Sequence, residues 1–136
     1  MSSRLNPYLS FKDNARDAID FYGSVFGGQP NVMTFAQMGD EGDEKDKVMH
    51  ATLETPSGFT LMASDTPARM GDPSANGSVS LSGDADEELR GYWTKLSDGG
   101  QIVMPLEKAQ WGDSFGMLVD KFGVSWLVNI AGQPQQ

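Results

Sequence analysis

The chain has 136 residues, no cysteine, and 19 acidic against 10 basic side chains, which gives a formal net charge of −9. This length suffices for one domain with a hydrophobic core, and the lack of cysteine excludes disulfides, thiolate metal ligands and cysteine nucleophiles. An acidic surface repels phosphate backbones and anionic lipids, so neither nucleic acid nor a membrane is expected as a partner. With no signal-peptide pattern and no apolar run near ~20 residues, a cytoplasmic protein is expected.

The first half of the chain has the patterns of one helix and four strands. Apolar residues recur at helical spacing from Ala15 to Phe26, and the flanking segments are rich in strand-forming and turn-forming residues. The predicted elements are a strand at 7–11 ("PYLSF"), a helix from Asp13 or Asn14 to Gly27-Gly28, a strand at 30–38, a solvated acidic loop at 39–47, and a hairpin of "VMHATLET" and "FTLMASD" joined by "PSG".

The second half repeats this order after a connector at 66–77 that contains two prolines and two glycines. The predicted elements are a strand at 78–82, a helix at 84–100, and strands near 101–107, 114–119 and 124–130, with a turn at "DKFG".

The two halves also match residue by residue. A shift of 71 places Ala18, Phe21, Tyr22 and Val25 on Leu89, Tyr92, Trp93 and Leu96, and a shift of 72 places "GGQ" on "GGQ". The sequence therefore predicts an α+β fold of two βαβββ modules, at about 6–65 and 78–130, within a single domain. Residues 131–136 are left as a C-terminal tail.

Several segments resemble a known superfamily. They are "NPYLSF" (6–11), "NAxxAxxFYxxVFGG" (14–28), "MHATL" (49–53), "LMASD" (61–65), "GQIVMPLEKAQWGDSFG" (100–116) and "DKFGVSWLVNI" (120–130). Together they resemble the vicinal oxygen chelate superfamily of glyoxalase I, extradiol dioxygenases and bleomycin-resistance proteins. Within it they are most similar to the PhnB-like branch, often labelled demethylubiquinone methyltransferase-like. The resemblance implies cupped sheets that form a cleft, and a homodimer.

The resemblance also implies where the superfamily's enzymes hold a divalent metal. The corresponding positions fall near Pro7 or Leu9, at Met62, at Ser78 and at Leu127. A register error of one residue offers Tyr8, Ala63, Val79 or Val128 instead, and Asn129 brings only a neutral amide. None of these residues has the imidazole or carboxylate that such an ion prefers. The sequence therefore predicts no metal site and no cofactor.

His50 is the only histidine in the chain. It stands at the start of the third strand, which carries no metal ligand in the superfamily pattern. Three interpretations stay open: a packed or hydrogen-bonded structural residue, a ligand-binding residue or general base, and a weak metal ligand.

A ligand-binding surface is predicted from both modules. We expect His50, Met62 and Ser64 from the first module, and Trp111, Asp113 and Phe115 from the second, where strand alternation would point the last three to one side. Sheet packing with a surface tryptophan is the alternative for this set. Asp65 and Asp120 are interpreted as turn residues, and Gly112, Gly116 and Gly123 as residues of bulges or turns.

Three functional hypotheses follow. The first is metal-free binding of a small apolar or aromatic molecule between the sheets. The second is a lyase, isomerase or dioxygenase with an unconventional metal site, or with His50 or Asp113 in acid–base catalysis. The third is a module that acts only through its dimer surface. No glycine-rich cofactor turn follows a strand, so the sequence gives no support to methyl transfer.

Overall fold

The computed structural model describes residues 5–39, 42–67, 71–72 and 76–132. The chain divides into two compact units, Met1–Asn76 (unit 1) and Gly77–Gln136 (unit 2). Unit 1 contains β1 (Tyr8–Phe11), α1 (Ala15–Phe26), β2 (Asn31–Thr34), a 3₁₀ helix (Ala36–Met38), β3 (Val48–Glu54) and β4 (Thr60–Asp65). Unit 2 contains β5 (Ser78–Gly83), α2 (Asp86–Ser97), β6 (Gln101–Lys108), β7 (Ser114–Val119) and β8 (Ser125–Ile130).

Each unit forms one mixed, four-stranded sheet. The strand order is β1-β4-β3-β2 in unit 1 and β5-β8-β7-β6 in unit 2. In both units the first strand pairs with the last in parallel, and the other neighbours are antiparallel. The predicted α+β fold of two βαβββ modules is confirmed. None of the helices among the described residues is long and apolar enough to cross a membrane.

One face of each sheet packs against the helix of its unit. Seven of the eight residues aligned by the shift of 71 are buried in this core: Ala18, Tyr22 and Val25 from α1, and Leu89, Tyr92, Trp93 and Leu96 from α2. Phe21 is half-buried. We call this side of each sheet the inner face and the opposite side the open face. Alternation along β8 is clear, because Trp126, Val128 and Ile130 are buried while Leu127 and Asn129 between them are half-buried.

The strand predicted at 30–38 was too long. β2 ends at Thr34, and a 3₁₀ helix follows. The Thr34 backbone N–H donates to the Gln37 side-chain oxygen at 2.8 Å, and the Gln37 N–H donates to the Thr34 hydroxyl at 3.3 Å. This reciprocal arrangement is a capping box, which starts a helical turn. The motif "TFAQ" fits the capping-box pattern, but the apolar residues around it favoured the prediction of a longer strand.

The paired glycines after each helix have the same structural role in both units. A Cβ on Gly28 would lie within 3.0 Å of the Glu54 carbonyl oxygen, and one on Gly100 within 3.0 Å of the Val119 carbonyl oxygen. Glu54 and Val119 are the last residues of β3 and β7, the third strands of their units. The repeated "GGQ" therefore lets the backbone after each helix lie directly against its sheet.

The two buried carboxylates differ in what they bind. Asp120 accepts the backbone N–H groups of Phe122 and Val124 and the indole N–H of Trp126, as expected of a turn residue that also anchors the core. The turn interpretation of Asp65 was wrong. Its side chain accepts the N–H of Ala15 at 2.9 Å and the N–H of Val48 at 2.8 Å, so it fixes the start of α1 and of β3.

The connector predicted at 66–77 lies partly outside the described residues. Its last described part contains Asn76, whose amide oxygen accepts the Ser10 N–H at 2.6 Å and whose amide nitrogen donates to the Ser10 carbonyl at 3.1 Å. β1 is an outer strand of its sheet, so its backbone groups lack a neighbouring strand on one side. The Asn76 side chain occupies part of that edge.

Candidate functional site

The three residues predicted in unit 1 lie on the open face of its sheet. Met62 is opposite Tyr8 on one side and Thr52 on the other. His50 is two residues from Thr52 on β3, so the two side chains point to the same face. Ser64 is two residues from Met62 on β4 and shares that face. His50, Met62 and Ser64 are all half-buried.

Both ring nitrogens of His50 have hydroxyl partners. Nδ1 lies 3.3 Å from the Tyr8 hydroxyl, and Nε2 lies 3.0 Å from the Thr52 hydroxyl. The Tyr8 and His50 rings are tilted, with centroids 5.7 Å apart. Because a hydroxyl can either donate or accept, the row of Tyr8, His50 and Thr52 satisfies either neutral tautomer of the imidazole. The sequence analysis missed Thr52, although the alternation in "HAT" places it beside His50.

In unit 2 the expected strand alternation does not hold. β7 begins at Ser114, so Trp111 and Asp113 belong to the turn between β6 and β7. This turn is closed by the Ala109 N–H donating to the Asp113 carbonyl at 2.7 Å, and Gly112 adopts a positive φ of 100° within it. The assignment of Gly112 to a turn is therefore confirmed, while the assignment of Trp111 and Asp113 to a strand was wrong.

The turn nevertheless brings the three predicted side chains together. The Trp111 and Phe115 rings meet edge to face with centroids 6.1 Å apart. Phe115 pairs in register with Asn129 of β8, and the Asn129 side-chain amide donates to Asp113 at 3.1 Å. Phe115 and Asn129 lie on the open face of the unit 2 sheet, because their neighbours Gly116 and Val128 are buried on the inner face. Trp111 is 66% exposed.

Asp113 is held in its ionised form. The Gly132 backbone N–H donates to one carboxylate oxygen at 2.8 Å, and the Asn129 amide donates to the other. These donors, Gly132 first and Asn129 second, lower the pKa of Asp113 below its ordinary value of 3.8, and partial burial opposes them. Asp113 therefore carries a full negative charge at neutral pH.

A second carboxylate, which the sequence analysis missed, lies on the same face. Glu107 of β6 pairs in register with Phe115, and paired residues of neighbouring strands point to the same side. The next residue, Lys108, pairs with Ser114 and points to the inner face. The register of β6 shifts between Ile102 and Met104 and again between Met104 and Glu107. Because of these shifts, counting alternate residues from the start of β6 does not predict the face on which Glu107 lies.

The other two predicted glycines are also accounted for. Gly123 has a positive φ of 87° in the turn before β8, as expected. Gly116 lies within β7, opposite the segment where β6 shifts register. A Cβ there would come within 3.0 Å of both the Trp93 ring and the Leu106 backbone, so the tip of Trp93 uses the space that glycine leaves.

The positions compared with the superfamily's metal sites are now located. On β1 the open-face residue is Tyr8, since its pairing with Met62 leaves Leu9 buried on the inner face. Ser78 and Leu127 belong to the neighbouring strands β5 and β8. Among the residues that the structure describes, no three His, Cys, Asp or Glu side chains converge as a metal site would require.

Three surface cavities are lined by residues other than the six predicted ones. They have volumes of about 510 and 330 Å³ in unit 1 and about 520 Å³ in unit 2. The cavity in unit 2 is lined partly by the turn that contains Asp113, through Gln110 and Gly112, and partly by charged residues outside it, Asp84, Asp86 and Lys108.

Comparisons with known proteins agree with this fold. The model of a family described as 3-demethylubiquinone-9 3-methyltransferase matches residues 3–129. A crystal structure of protein PA1353 from Pseudomonas aeruginosa is 39% identical, covers 97% of this chain and 100% of its own, and has a TM-score of 0.84. A putative 3-demethylubiquinone-9 3-methyltransferase, PhnB protein, from Bacillus cereus is 28% identical, covers 95% and 100%, and has a TM-score of 0.73.

A more distant likeness concerns the fold alone. A glyoxylase/bleomycin resistance protein/dioxygenase domain from Frankia sp. EAN1pec is 12% identical, covers 96% of this chain and 98% of its own, and has a TM-score of 0.64. The two-module architecture of this chain is thus found in solved structures of that fold.

Proposed function

The chain belongs to the 3-demethylubiquinone-9 3-methyltransferase-like (PhnB) family, and we propose that it binds a small apolar or aromatic molecule noncovalently. The proposed binding surface in unit 2 is the aromatic pair of Trp111 and Phe115 with Asp113 beside it. The open-face residues His50, Met62 and Ser64 form the corresponding surface of unit 1.

The exposure of Trp111 is the observation that carries this proposal. Two of the three tryptophans are buried, with Trp93 at 9% and Trp126 at 1% relative exposure, while Trp111 is 66% exposed. Covering about 100 Å² of an indole ring contributes about 2.5 kcal/mol, at about 25 cal/mol per Å² of apolar surface. A planar ligand laid on Trp111 would gain this energy, and Phe115 contacts the indole ring edge to face.

The family description names a methyl transfer, which we do not propose. A nucleotide-type cofactor is usually held by a glycine-rich turn that leads from a parallel strand into a helix. In the described part of this chain, the paired glycines stand after the helices, and the turn from β1 into α1 contains Asp13 and Asn14. The Gly28 and Gly100 positions are occupied by close backbone contacts with the sheets.

Fluorescence tests this proposal through Trp111. A panel of soluble one-ring and two-ring aromatic compounds would be screened for protection of tryptophan emission from acrylamide, a neutral quencher. We expect some compounds to reduce quenching in the native chain and to have no effect in Trp111→Phe. If quenching of Trp111 is unchanged by every compound at millimolar concentration, the binding proposal is wrong.

Acid–base catalysis at His50 is a second candidate function. It is favoured by the two hydroxyl partners, which let the imidazole exchange a proton at either nitrogen without losing a hydrogen bond. The test is exchange of carbon-bound hydrogen next to a carbonyl, followed in D₂O by proton NMR with a panel of simple keto acids. Exchange that is lost in His50→Gln would support it, and exchange equal to that of buffer alone would exclude it for that panel.

We also propose that the chain forms a homodimer. β6 is the outer strand of the unit 2 sheet, and its side chains Ile102, Val103 and Met104 are 47%, 59% and 47% exposed. Consecutive exposed apolar side chains on an outer strand are typical of a contact surface. Sedimentation equilibrium should give twice the chain mass, and Val103→Glu should shift the species towards the monomer. A monomer at micromolar concentration in the native chain would contradict this.

A further inference from the structure

We propose that the molecule bound at Trp111 carries a positive charge, as an organic ammonium group attached to an apolar or aromatic body. This inference rests on the proposed function and adds the charge of the ligand to it. It is carried by the two carboxylates that lie on either side of Phe115, and by the direction of Lys108, the one basic residue on the described strands of unit 2.

The first carboxylate is fixed before any ligand arrives. Asp113 accepts one N–H on each oxygen, from Gly132 at 2.8 Å and from Asn129 at 3.1 Å. Both oxygens keep further acceptor capacity, since an ionised carboxylate has about four lone-pair positions. Neither donor carries a formal charge, so the negative charge of Asp113 remains available to a cation. Asn129 also places this carboxylate next to Phe115, its partner across the sheet.

The second carboxylate is on the other flank of Phe115. In the register of the sheet, Phe115 lies between Glu107 on β6 and Asn129 on β8. Lys108 could have neutralised this surface, but its pairing with Ser114 directs it to the inner face. On the four described strands of unit 2, no Lys or Arg occupies an open-face position. The charged side chains beside Phe115 on the open face, Glu107 and Asp113, are therefore both acidic, whereas Arg90 of α2 donates to Ser114 and Asp86.

Aromatic faces and carboxylates attract the same class of ligand. The face of an indole ring carries partial negative charge and binds ammonium groups within about 6 Å, and tryptophan is the strongest of the aromatic residues in this respect. Phe115 presents a second ring at 6.1 Å from the first. A neutral aromatic ligand would use only the stacking surface and would bring no positive charge to the two carboxylates. The formal net charge of −9 further favours the approach of a cation.

The experiment compares three probes that differ in charge: benzyltrimethylammonium, benzyl alcohol and benzoate. Their dissociation constants would be measured by the Trp111 fluorescence signal in 50 and 500 mM salt. We expect the cation to bind most tightly and benzoate most weakly. Only the binding of the cation should weaken as the salt concentration rises. Asp113→Asn should weaken the binding of the cation by about two- to fivefold and leave the binding of benzyl alcohol unchanged.

Asp98→Asn is the matched control, because Asp98 is an exposed carboxylate at the end of α2 and its loss changes the net charge equally. It should leave all three constants unchanged. Glu107→Gln is a second variant, whose effect does not depend on the fold of the Asp113 turn. It should weaken the binding of the cation and leave the other two dissociation constants unchanged. If benzyl alcohol binds as tightly as the cation and neither carboxylate matters, the charge inference is wrong while the binding proposal stands. If no probe alters Trp111, both are wrong.

Discussion

Asp113 and Asp65 are carboxylates with similar partners and different surroundings. Each accepts one N–H on each oxygen, but Asp65 is 4% exposed and binds only backbone groups, while Asp113 is partly open to solvent. Asp65 is therefore suited to hold two elements together, and Asp113 is suited to act on a partner outside the chain. The two positions lead to different predictions.

Removing the Asn129 amide should raise the pKa of Asp113 towards 3.8, its ordinary value. The donors of the folded state lower this pKa, so the negative charge and the stabilisation it brings are present at neutral pH and are lost as pH falls through the lowered pKa. In Asn129→Ala that loss should begin at a higher pH. The measurement is a carbon-13 NMR titration of the side-chain carboxyl groups.

Asp98, exposed and distant in sequence, serves as the internal reference in the same titration. An Asp113 pKa that is identical in the native chain and in Asn129→Ala would show that Asn129 does not support the charge.

Asp65→Ala should lower the free energy of unfolding by about 3 kcal/mol, because it leaves the N–H groups of Ala15 and Val48 buried without an acceptor. Asp65→Asn should cost less, since the amide oxygen still accepts one of them. Urea unfolding followed by circular dichroism gives these values. Asp20→Ala, on the exposed side of α1, is the control and should change stability by less than about 0.5 kcal/mol. Equal losses at positions 65 and 20 would contradict this account of Asp65.

Single site residues could be predicted from the sequence, but their hydrogen-bond partners could not. Asp65 was interpreted from its neighbours in "SDTP", whereas its partners lie 50 and 17 residues away in the chain. Local composition contains no information on such contacts. Asp113 and Trp111 were predicted to lie beside Phe115 through strand alternation, whereas the turn before β7 brings them there.

At the scale of elements, the paired glycines show why the two halves resemble each other. In each unit the second glycine allows the chain to leave its helix and lie against the last residue of the third strand. Any side chain at that position would have to displace backbone atoms, which cannot move without separating the strands.

Gly100→Ala should therefore lower the free energy of unfolding by about 2–4 kcal/mol, because a Cβ would overlap the Val119 carbonyl and the Asp120 backbone. Gly91→Ala makes the same chemical change inside α2, where no atom lies within 4 Å of the new methyl group. This control should raise stability by about 0.5–1 kcal/mol, since alanine is the better helix former. The measurement is thermal unfolding of both variants under the same conditions. Equal changes in stability would contradict the role given to Gly100.

Helices were easier to predict than short strands. The apolar spacing in α1 and α2 is long enough to identify both, and each ends within three residues of its predicted limit. β2 has four residues, too few for alternation to separate it from the helical turn that follows. The hydrogen bonds between Thr34 and Gln37 determine that boundary, and only the "TFAQ" motif hints at them.

At the scale of the whole molecule, the repeat within the sequence made the architecture predictable. Two modules with the same order of elements and the same buried helix positions leave few ways to pair the strands, and the observed sheets have matching orders. The site was less predictable, because Glu107 reaches the open face only through the irregular register of β6. A repeat specifies elements, whereas single-residue shifts determine which side chains meet.

Trp111 is proposed to form part of a ligand-binding surface. The most direct measurement is a nitrogen-15 NMR titration of the indole N–H groups, since the chain contains three tryptophans and gives three such signals. Trp126 donates its indole N–H to Asp120 in the core, and Trp93 packs against Gly116, so both serve as internal references. With benzyltrimethylammonium as the probe, we expect a saturable shift of the Trp111 signal alone, and a smaller shift in Asp113→Asn. A Trp111 signal that does not move, or moves only in proportion to the two references, would contradict it.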